Sequence, residues 1–399
     1  MRVLQINCVY NNGSTGKITS VLHNEYLKNG IDSFVCYGRG DDCREANVFK
    51  VGNELYSKAN HLLSKITGVN YDNCLWSTEQ IIKLIKRISP DIVHLQCING
   101  YFVNIYKLLT YLKQNNIKTV LTLHAEFMYT GGCGCAYVCE KWRNNPGCGN
   151  CSFLKTEVDT FFRDGTRTTW SKMKKAFDGF ENLSVVSVSP WLMNRAMESS
   201  IFKDKNNSYV FNGLDTDIFT SRDNYDKNSK TVFHVSPKFD DDVNNNKGGR
   251  FVLELAKRMP DVKFIVAGNY SLQGAVPDNV ELLGRVSDGK KLSEYYSSAS
   301  LTLLTSQREA FSMVCAESLC CGTPVVGFKA GAPEQISLSE YSEFVEYGNV
   351  DLLEKAVTKW LNTDKPDDIS ETAKERYSKE NMAKNYIGIY RSMQGENNG

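Results

Sequence analysis

The stretch Glu309-Ala-Phe-Ser-Met-Val-Cys-Ala-Glu317-Ser-Leu-Cys-Cys-Gly322-Thr-Pro-Val-Val326 reads as one short helix, a glycine stop and an apolar strand. Both carboxylates are expected on that helix, where eight residues rise about 12 Å. Glu309 and Glu317 would then grip hydroxyl groups at the two ends of an elongated ligand. Between them the helix N-terminus would offer backbone N–H groups, which favour phosphate. Hydroxyl, phosphate and hydroxyl in that order describe a nucleotide sugar.

The same helix–strand alternation runs through the chain. Strands are expected at 3–9, 33–37, 91–96, 119–124 and 183–189, and after a break at 208–211, 231–236, 262–267, 280–283, 300–304 and 324–328. Ile92-Val-His-Leu95 and Phe264-Ile-Val-Ala267 are continuously apolar or nearly so, as strands covered on both faces are. Ile81, Leu84, Ile85 and Ile88 recur at helical spacing, as do Phe251, Leu255 and Met259. Such alternation implies parallel sheets wrapped by helices. The turn Asn212-Gly213 and the polar stretch 221–230 divide the chain into residues 1–212 and 213–375. Residues 376–399 form a last helix and a frayed tail. The fold class is therefore α/β, with two doubly wound parallel sheets facing a cleft and ligands at the C-terminal ends of the strands.

Bulk properties exclude several classes. At 399 residues, two domains are the natural division. A net charge of +1 gives no footprint for nucleic acid. No apolar run approaches the length of a membrane span. Met1-Arg-Val-Leu-Gln-Ile-Asn-Cys-Val9 reads as a first strand rather than a signal peptide. Thirteen cysteines in an unsigned chain of this size point to reduced thiols in a cytoplasm. No feature sets an oligomeric state.

Further candidates lie at strand ends. Asn11-Asn-Gly13-Ser-Thr-Gly16-Lys17 follows the first strand and opens a helix. It lacks the P-loop spacing, and is either an ordinary turn or an approach for diphosphate. His124 closes a buried strand and can hydrogen-bond a sugar hydroxyl. Lys247-Gly248 precedes a helix, where an ammonium suits a departing diphosphate, and Lys238 could add a second charge. Asp240-Asp-Asp242 reads as an exposed acidic loop, with metal binding the less favoured alternative. Cys133, Cys135, Cys139, Cys148 and Cys151 crowd a long loop, 131–151, of little apolar content. Cys139, Cys148 and Cys151, with Cys133 or Cys135 as the fourth thiolate, could hold a structural zinc; disulfides and free thiols are the alternatives.

Taken together, Glu309…Glu317 with Cys321-Gly-Thr-Pro-Val-Val326 resembles the signature of the retaining glycosyltransferases of family 4, which have the GT-B fold. Asn212-Gly-Leu-Asp-Thr216, Leu283-Gly-Arg-Val286 and Lys247-Gly248 resemble further family segments. Val188-Ser-Pro-Trp-Leu192 and Thr130-Gly-Gly-Cys133 resemble a subgroup from bacterial exopolysaccharide and capsule pathways. The resemblance covers nearly the whole chain. It implies that Glu317 binds ribose and that Glu309 binds the donor sugar. It implies that the N–H groups of Ala310, Phe311 and Ser312 face sugar and phosphates, and that Lys247 neutralises the leaving diphosphate. Gly284, Arg285 and Val286 would hold the base, His124 would contact the sugar, and Gly13 would shape the diphosphate side. No catalytic metal is implied.

Two positions depart from the family. Ser236-Pro-Lys238 stands where an arginine usually precedes the phosphate lysine, and only arginine offers a planar fork. His124-Ala125 replaces the His-Asp of relatives with this cysteine loop, which shifts any carboxylate role toward Glu126. The implied partners are a nucleoside-diphosphate sugar and a saccharide or lipid-linked acceptor. The rival readings are an epimerase or phosphorylase of similar fold, or a catalytically silent subunit. The basic amphipathic segments 80–88 and 170–177 read either as solvated helix faces or as contacts with anionic lipid.

Overall fold

The computed structural model describes residues 1–223, 225–226 and 229–395. The remaining positions of the 221–230 stretch and of the tail lie outside the described residues. The chain divides into two compact units, Met1–Val210 with the chain from Met382, and Phe211–Asn381.

Unit 1 is built on a seven-stranded parallel sheet. Its strands are β1 (Arg2–Val9), β2 (Asp32–Arg39), β3 (Val48–Lys50), β4 (Ile92–Leu95), β5 (Thr119–Leu123), β6 (Leu183–Ser187) and β7 (Asn206–Tyr209). Its helices are α1 (Gly13–Lys28), α2 (Glu54–Thr67), α3 (Leu75–Ile88), α4 (Ile105–Gln114), α5 (Thr166–Phe177) and α6 (Pro190–Glu198). The spatial order β3-β2-β1-β4-β5-β6-β7 reverses direction between β1 and β4. Those strands pair in register from Val3 opposite Ile92 to Ile6 opposite Leu95. Parallel pairing buries both faces, so Ile92, Val93, His94 and Leu95 are all enclosed.

Unit 2 repeats the plan with six strands: β8 (Thr231–Asp240), β9 (Lys263–Ser271), β10 (Val280–Gly284), β11 (Leu301–Leu304), β12 (Val325–Phe328) and β13 (Ser342–Val345). Its helices are α7 (Gly249–Arg258), α8 (Gly289–Ser298), α9 (Met313–Cys320), α10 (Pro333–Ile336), α11 (Val350–Leu361) and α12 (Ile369–Tyr377). The order β10-β9-β8-β11-β12-β13 places its reversal between β8 and β11. Neighbouring residues of one strand feed opposite cores. Val232, Phe264 and Val266 pack with α7 and α11, while Phe233, Ile265 and Ala267 pack with Tyr296 and Cys321. A final helix, α13 (Lys379–Gln394), puts Met382, Tyr386 and Tyr390 into the unit 1 core against Tyr26 and Ile18.

The eleven expected strands are present, with ends shifted by a few residues. β3 and β13 were not anticipated: each is a short edge strand of three or four residues, only partly buried. β8 runs through Ser236-Pro-Lys238 to Asp240, past its expected end, because Lys238, Phe239 and Asp240 resume pairing with Asn269, Tyr270 and Ser271 after an irregularity.

Candidate active site

In a doubly wound sheet, loops leaving the two strands at the reversal diverge and leave a crevice at their C-terminal ends. In unit 2 these loops follow β8 and β11, and they are bonded to each other. Gln307 N donates to Asn246 O at 2.7 Å, and Thr305 Oγ1 donates to Lys247 O at 2.8 Å. Gly248 has φ 67° and lies so close to the Thr305 carbonyl that a Cβ there would collide with it. The approach delivers Lys247 to Glu309: Nζ donates to Oε1 at 2.6 Å, with both side chains largely shielded.

Glu309 is not on the helix. The segment turns at Ser312, which has φ 87°, and α9 starts only at Met313. Glu317 alone of the two carboxylates is helical. Glu309 instead belongs to a short bridge: its N–H donates to Ala330 O at 2.9 Å and its carbonyl accepts from Ala332 N at 3.2 Å. The Glu334 carboxylate holds that loop by accepting from the N–H groups of Ala330 and Gly331. Freed from helical geometry, Glu309 can reach the β8 loop. Ser312 caps α9, its Oγ accepting from Cys315 N. A non-glycine residue at such a φ is strained, and strain of this kind gathers at ligand sites.

Glu317 Oε2 accepts from the Tyr296 hydroxyl at 2.9 Å, so a buried tyrosine on α8 orients it. Gly284 ends β10 with φ 68°, and Val286 just beyond packs against the Phe233–Tyr296 core. Lys247, Glu309, Ala310, Phe311 and the Gly284-Arg285-Val286 segment all follow the C-terminal ends of strands of one sheet. Lys238 and Lys247 line one surface cavity of about 410 Å³. The exposed Lys238 ammonium pairs with Asp240 at 2.7 Å.

The acidic loop differs from its expected form. Asp240 is buried. It accepts from Asn245 Nδ2 at 2.7 Å and, with Lys238 and that amide bonded to it, its pKa falls despite its burial. Asp241 accepts from the N–H groups of Gln273 and Gly274. These carboxylates staple the loop that carries Lys247.

In unit 1 the reversal lies between β1 and β4. Cys8 N donates to Cys97 O at 2.8 Å across it. Gly13 starts α1 with φ 64°, as a left-handed turn requires. Gly16 has the opposite task. Its missing side chain lets α1 approach Val9, and its carbonyl accepts from Asn11 N at 3.0 Å. His124 stands just past β5 with Nε2 2.9 Å from Gln96 Oε1. Burial lowers its pKa to about 4, so the ring is neutral at pH 7 and donates from Nε2. Gln96 also contacts Gln5 and His94. The one trace of this buried polar network in the sequence is a glutamine, Gln96, closing an apolar strand.

Glu126, toward which the carboxylate role was expected to shift, is already engaged. It is buried, and its carboxylate accepts from Arg195 Nε at 2.6 Å and from Ala136 N at 2.6 Å. It anchors the cysteine loop, which is less polar inside than its composition suggests. Trp142 is buried there, its carbonyl accepting from Trp170 Nε1 at 3.0 Å. The thirteen cysteines are free thiols. Cys133 and Cys151 are hydrogen-bonded to each other, which pushes the Cys133 pKa up and brings that of Cys151 down to about 7. Among the described residues, no group of three or more cysteine, histidine or carboxylate side chains is arranged to hold a metal ion. The cysteines expected to hold zinc, Cys133, Cys139, Cys148 and Cys151, are free thiols of one loop that Trp142 and the Glu126–Arg195 pair also hold.

Two doubly wound parallel-sheet units in one chain, with charged side chains on loops at the strand ends, define a protein of the GT-B fold. Residues 221–376 match the family model described as glycosyl transferases group 1. The putative colanic acid biosynthesis glycosyl transferase WcaC of Escherichia coli (strain K12) is 20% identical over 424 residues, covering 98% of this chain and 100% of its own length. Sucrose-phosphate synthase from Thermosynechococcus elongatus superposes with a TM-score of 0.71 at 15% identity, over 99% of this chain and 100% of that one. Anabaena Alr3699/HepE, solved in complex with UDP, gives a TM-score of 0.64 at 13% identity, over 98% and 100%. Both structures speak for the fold.

Proposed function

We propose that this protein moves a sugar from a nucleoside-diphosphate donor to an acceptor hydroxyl, with retention at the anomeric carbon. The Lys247–Glu309 pair at the β8/β11 reversal carries this reading. In this reading Lys247 is the cation for diphosphate, the adjacent Glu309 the carboxylate for sugar hydroxyls, and Glu317, bonded to Tyr296, the carboxylate for ribose. The acceptor oxygen bonds to the anomeric carbon as the bond from that carbon to the phosphate oxygen breaks. The acceptor's proton passes to the departing phosphate. The chain contributes positioning and charge stabilisation of the leaving group, through Lys247 and the N–H groups at the start of α9. Neutral His124, whose one N–H is donated to Gln96, would accept a hydrogen bond from a sugar hydroxyl at Nδ1.

The name of the WcaC relative, a putative colanic acid biosynthesis glycosyl transferase, supports a role in polysaccharide synthesis; in this reading the product is a cell-surface polysaccharide, the acceptor is a saccharide or is lipid-linked, and the location is cytoplasmic. The UDP complex of the Anabaena protein makes UDP-sugars the first donors to try. A thermal-shift panel of nucleoside diphosphates and nucleotide sugars tests the reading. At a hundred times its dissociation constant a ligand adds about 2.7 kcal/mol. NMR of the product would then report anomeric configuration. A panel without any shift, together with no donor consumed, would sink the proposal. Acceptor-free epimerisation or consumption of phosphate would replace it with one of the rival enzymes.

A further inference from the structure

We infer that the outward face of α2, with Trp76 and Phe162, docks unit 1 on an anionic lipid bilayer. The inference goes beyond the proposed reaction and does not depend on it.

α2 is inside out. A surface helix normally buries its apolar stripe. Here the enclosed residues are Ser57, Asn60 and Ser64. Asn60 Oδ1 accepts from Cys74 N, and Ser64 Oγ accepts from Asn73 Nδ2. The leucines and the isoleucine face solvent: Leu55 is 80% exposed, Leu62 50%, Leu63 48% and Ile66 53%. Positions 55, 59, 62 and 66 follow helical spacing, so Leu55, Ala59, Leu62 and Ile66 form one stripe. Single exposed leucines need no explanation, but a continuous apolar stripe does.

Aromatic side chains extend the stripe at both ends. Trp76, 56% exposed, meets Tyr56 of α2 edge-on with ring centroids 5.8 Å apart. At the other end Phe161 N donates to Lys65 O, and Phe162 beside it is 92% exposed. Tryptophan and phenylalanine on such a face suit the headgroup–acyl boundary of a bilayer.

Charge selects the occupant. Lys83 and Arg87 stand seven and eleven residues beyond Trp76, on the same face of α3, and line a cavity with it. Lys58 is exposed on α2. The nearby carboxylates are engaged: Glu54 with Arg39 at 2.9 Å, and Asp159 with Lys65 at 2.9 Å and His61 at 3.2 Å. An apolar face with exposed cations beside it complements anionic headgroups. A second copy of the chain fits worse, since an isologous pairing presents like cations to each other. Of the segments suggested by composition, 80–88 contributes its cations but not its apolar side chains, and 170–177 keeps its apolar side chains in the core. Ile81, Leu84, Ile85 and Ile88 of α3, and Trp170, Met173 and Phe177 of α5, are buried.

The test is flotation of the full chain with phosphatidylcholine vesicles, with and without phosphatidylglycerol. The wild type should float with the anionic vesicles at low salt and far less at high salt. The double variant Leu62→Glu/Ile66→Glu, and separately Phe162→Glu, should lose binding at least about tenfold. Lys83→Ala and Arg87→Ala should each lose about fivefold. Melting temperature and hydrolysis of a soluble donor should not change in any of these variants. Absence of flotation by the wild type at low salt, or equal flotation of the glutamate variants, overturns the inference. So does a concentration-dependent dimer, formed without lipid and dissolved by the same substitutions. A protein that floats but consumes no donor refutes the proposed reaction and leaves the docking surface standing.

Discussion

Lys247 and Glu309 are 62 residues apart in sequence and 2.6 Å apart in space, joined across loops that leave two adjacent strands of one sheet. Each is held by its backbone. The Lys247 carbonyl accepts from Thr305, and Glu309 is bonded on both sides to the loop after β12. The pair is therefore preorganised, and a ligand diphosphate has to compete with the carboxylate for the ammonium.

Removing the cation should slow chemistry more than it disturbs the fold. Lys247→Ala is expected to lower the transfer rate by about 10²–10³, the usual cost of losing one stabilising contact to developing charge. Its circular dichroism and melting curve should stay close to wild type. Unchanged turnover would falsify the role given to Lys247.

Glu309→Gln should separate binding from transfer. Loss of the negative charge beside Lys247 leaves nucleoside-diphosphate affinity unchanged or higher, while sugar transfer falls by about 10². Titration calorimetry with the nucleotide alone, set beside rates with the full donor, reads the two effects. A parallel loss of both would assign Glu309 a structural task only.

Stability should fall in acid through three enclosed imidazoles. Burial lowers the pKa of His94 to about 3 and those of His124 and His234 to about 4. In the unfolded chain a histidine protonates near about 6.5. Between those values the unfolded state binds more protons, so stability rises with pH there. It is fully present above about 6.5 and is lost progressively as the pH drops toward about 4. Melting temperatures across this window, for wild type and for His234→Asn, should show a slope that the variant reduces. Equal slopes would contradict the assignment.

The Glu126–Arg195 pair is the most enclosed ion pair of the cysteine loop region. Glu126→Gln leaves the guanidinium buried without its counter-charge and should cost about 3–5 kcal/mol. Urea titrations should show a lower midpoint and an unchanged slope. A midpoint within error of wild type would mean that Trp142 and its neighbours hold the loop without the pair.

Gly248→Ala probes the close approach of the β8 loop to Thr305. The substitution meets both a left-handed φ and a backbone oxygen. It should cost about 1–3 kcal/mol and displace Lys247. Weaker nucleotide binding together with a lower melting temperature is the expected outcome. Wild-type values for both would show that the loop yields without consequence.

Local pattern made much of this protein legible in advance. Continuous apolar runs such as Phe264 to Ala267 declared strands covered on both faces, and their residues do feed opposite cores. Gly322, with φ 74°, ends the α9 region as a glycine stop should. Other features left a weaker trace. The edge strands β3 and β13 carry few buried residues. The polar side of α2 is masked by a composition that resembles any amphipathic helix.

From sequence came the strand–helix alternation, the division into two α/β units, and the residues worth watching at strand ends. These depend on periodicity and on steric limits of the backbone, which act over a few residues. Tertiary structure decided what each of those residues touches. It took Glu309 off the helix and brought it to Lys247. It committed Glu126 to Arg195 and Asp240 to its own loop. It also turned the leucines of α2 outward. Such outcomes depend on which loops emerge side by side where a sheet reverses its strand order, and on which buried charges find partners there. No short window of the chain contains both members of those contacts.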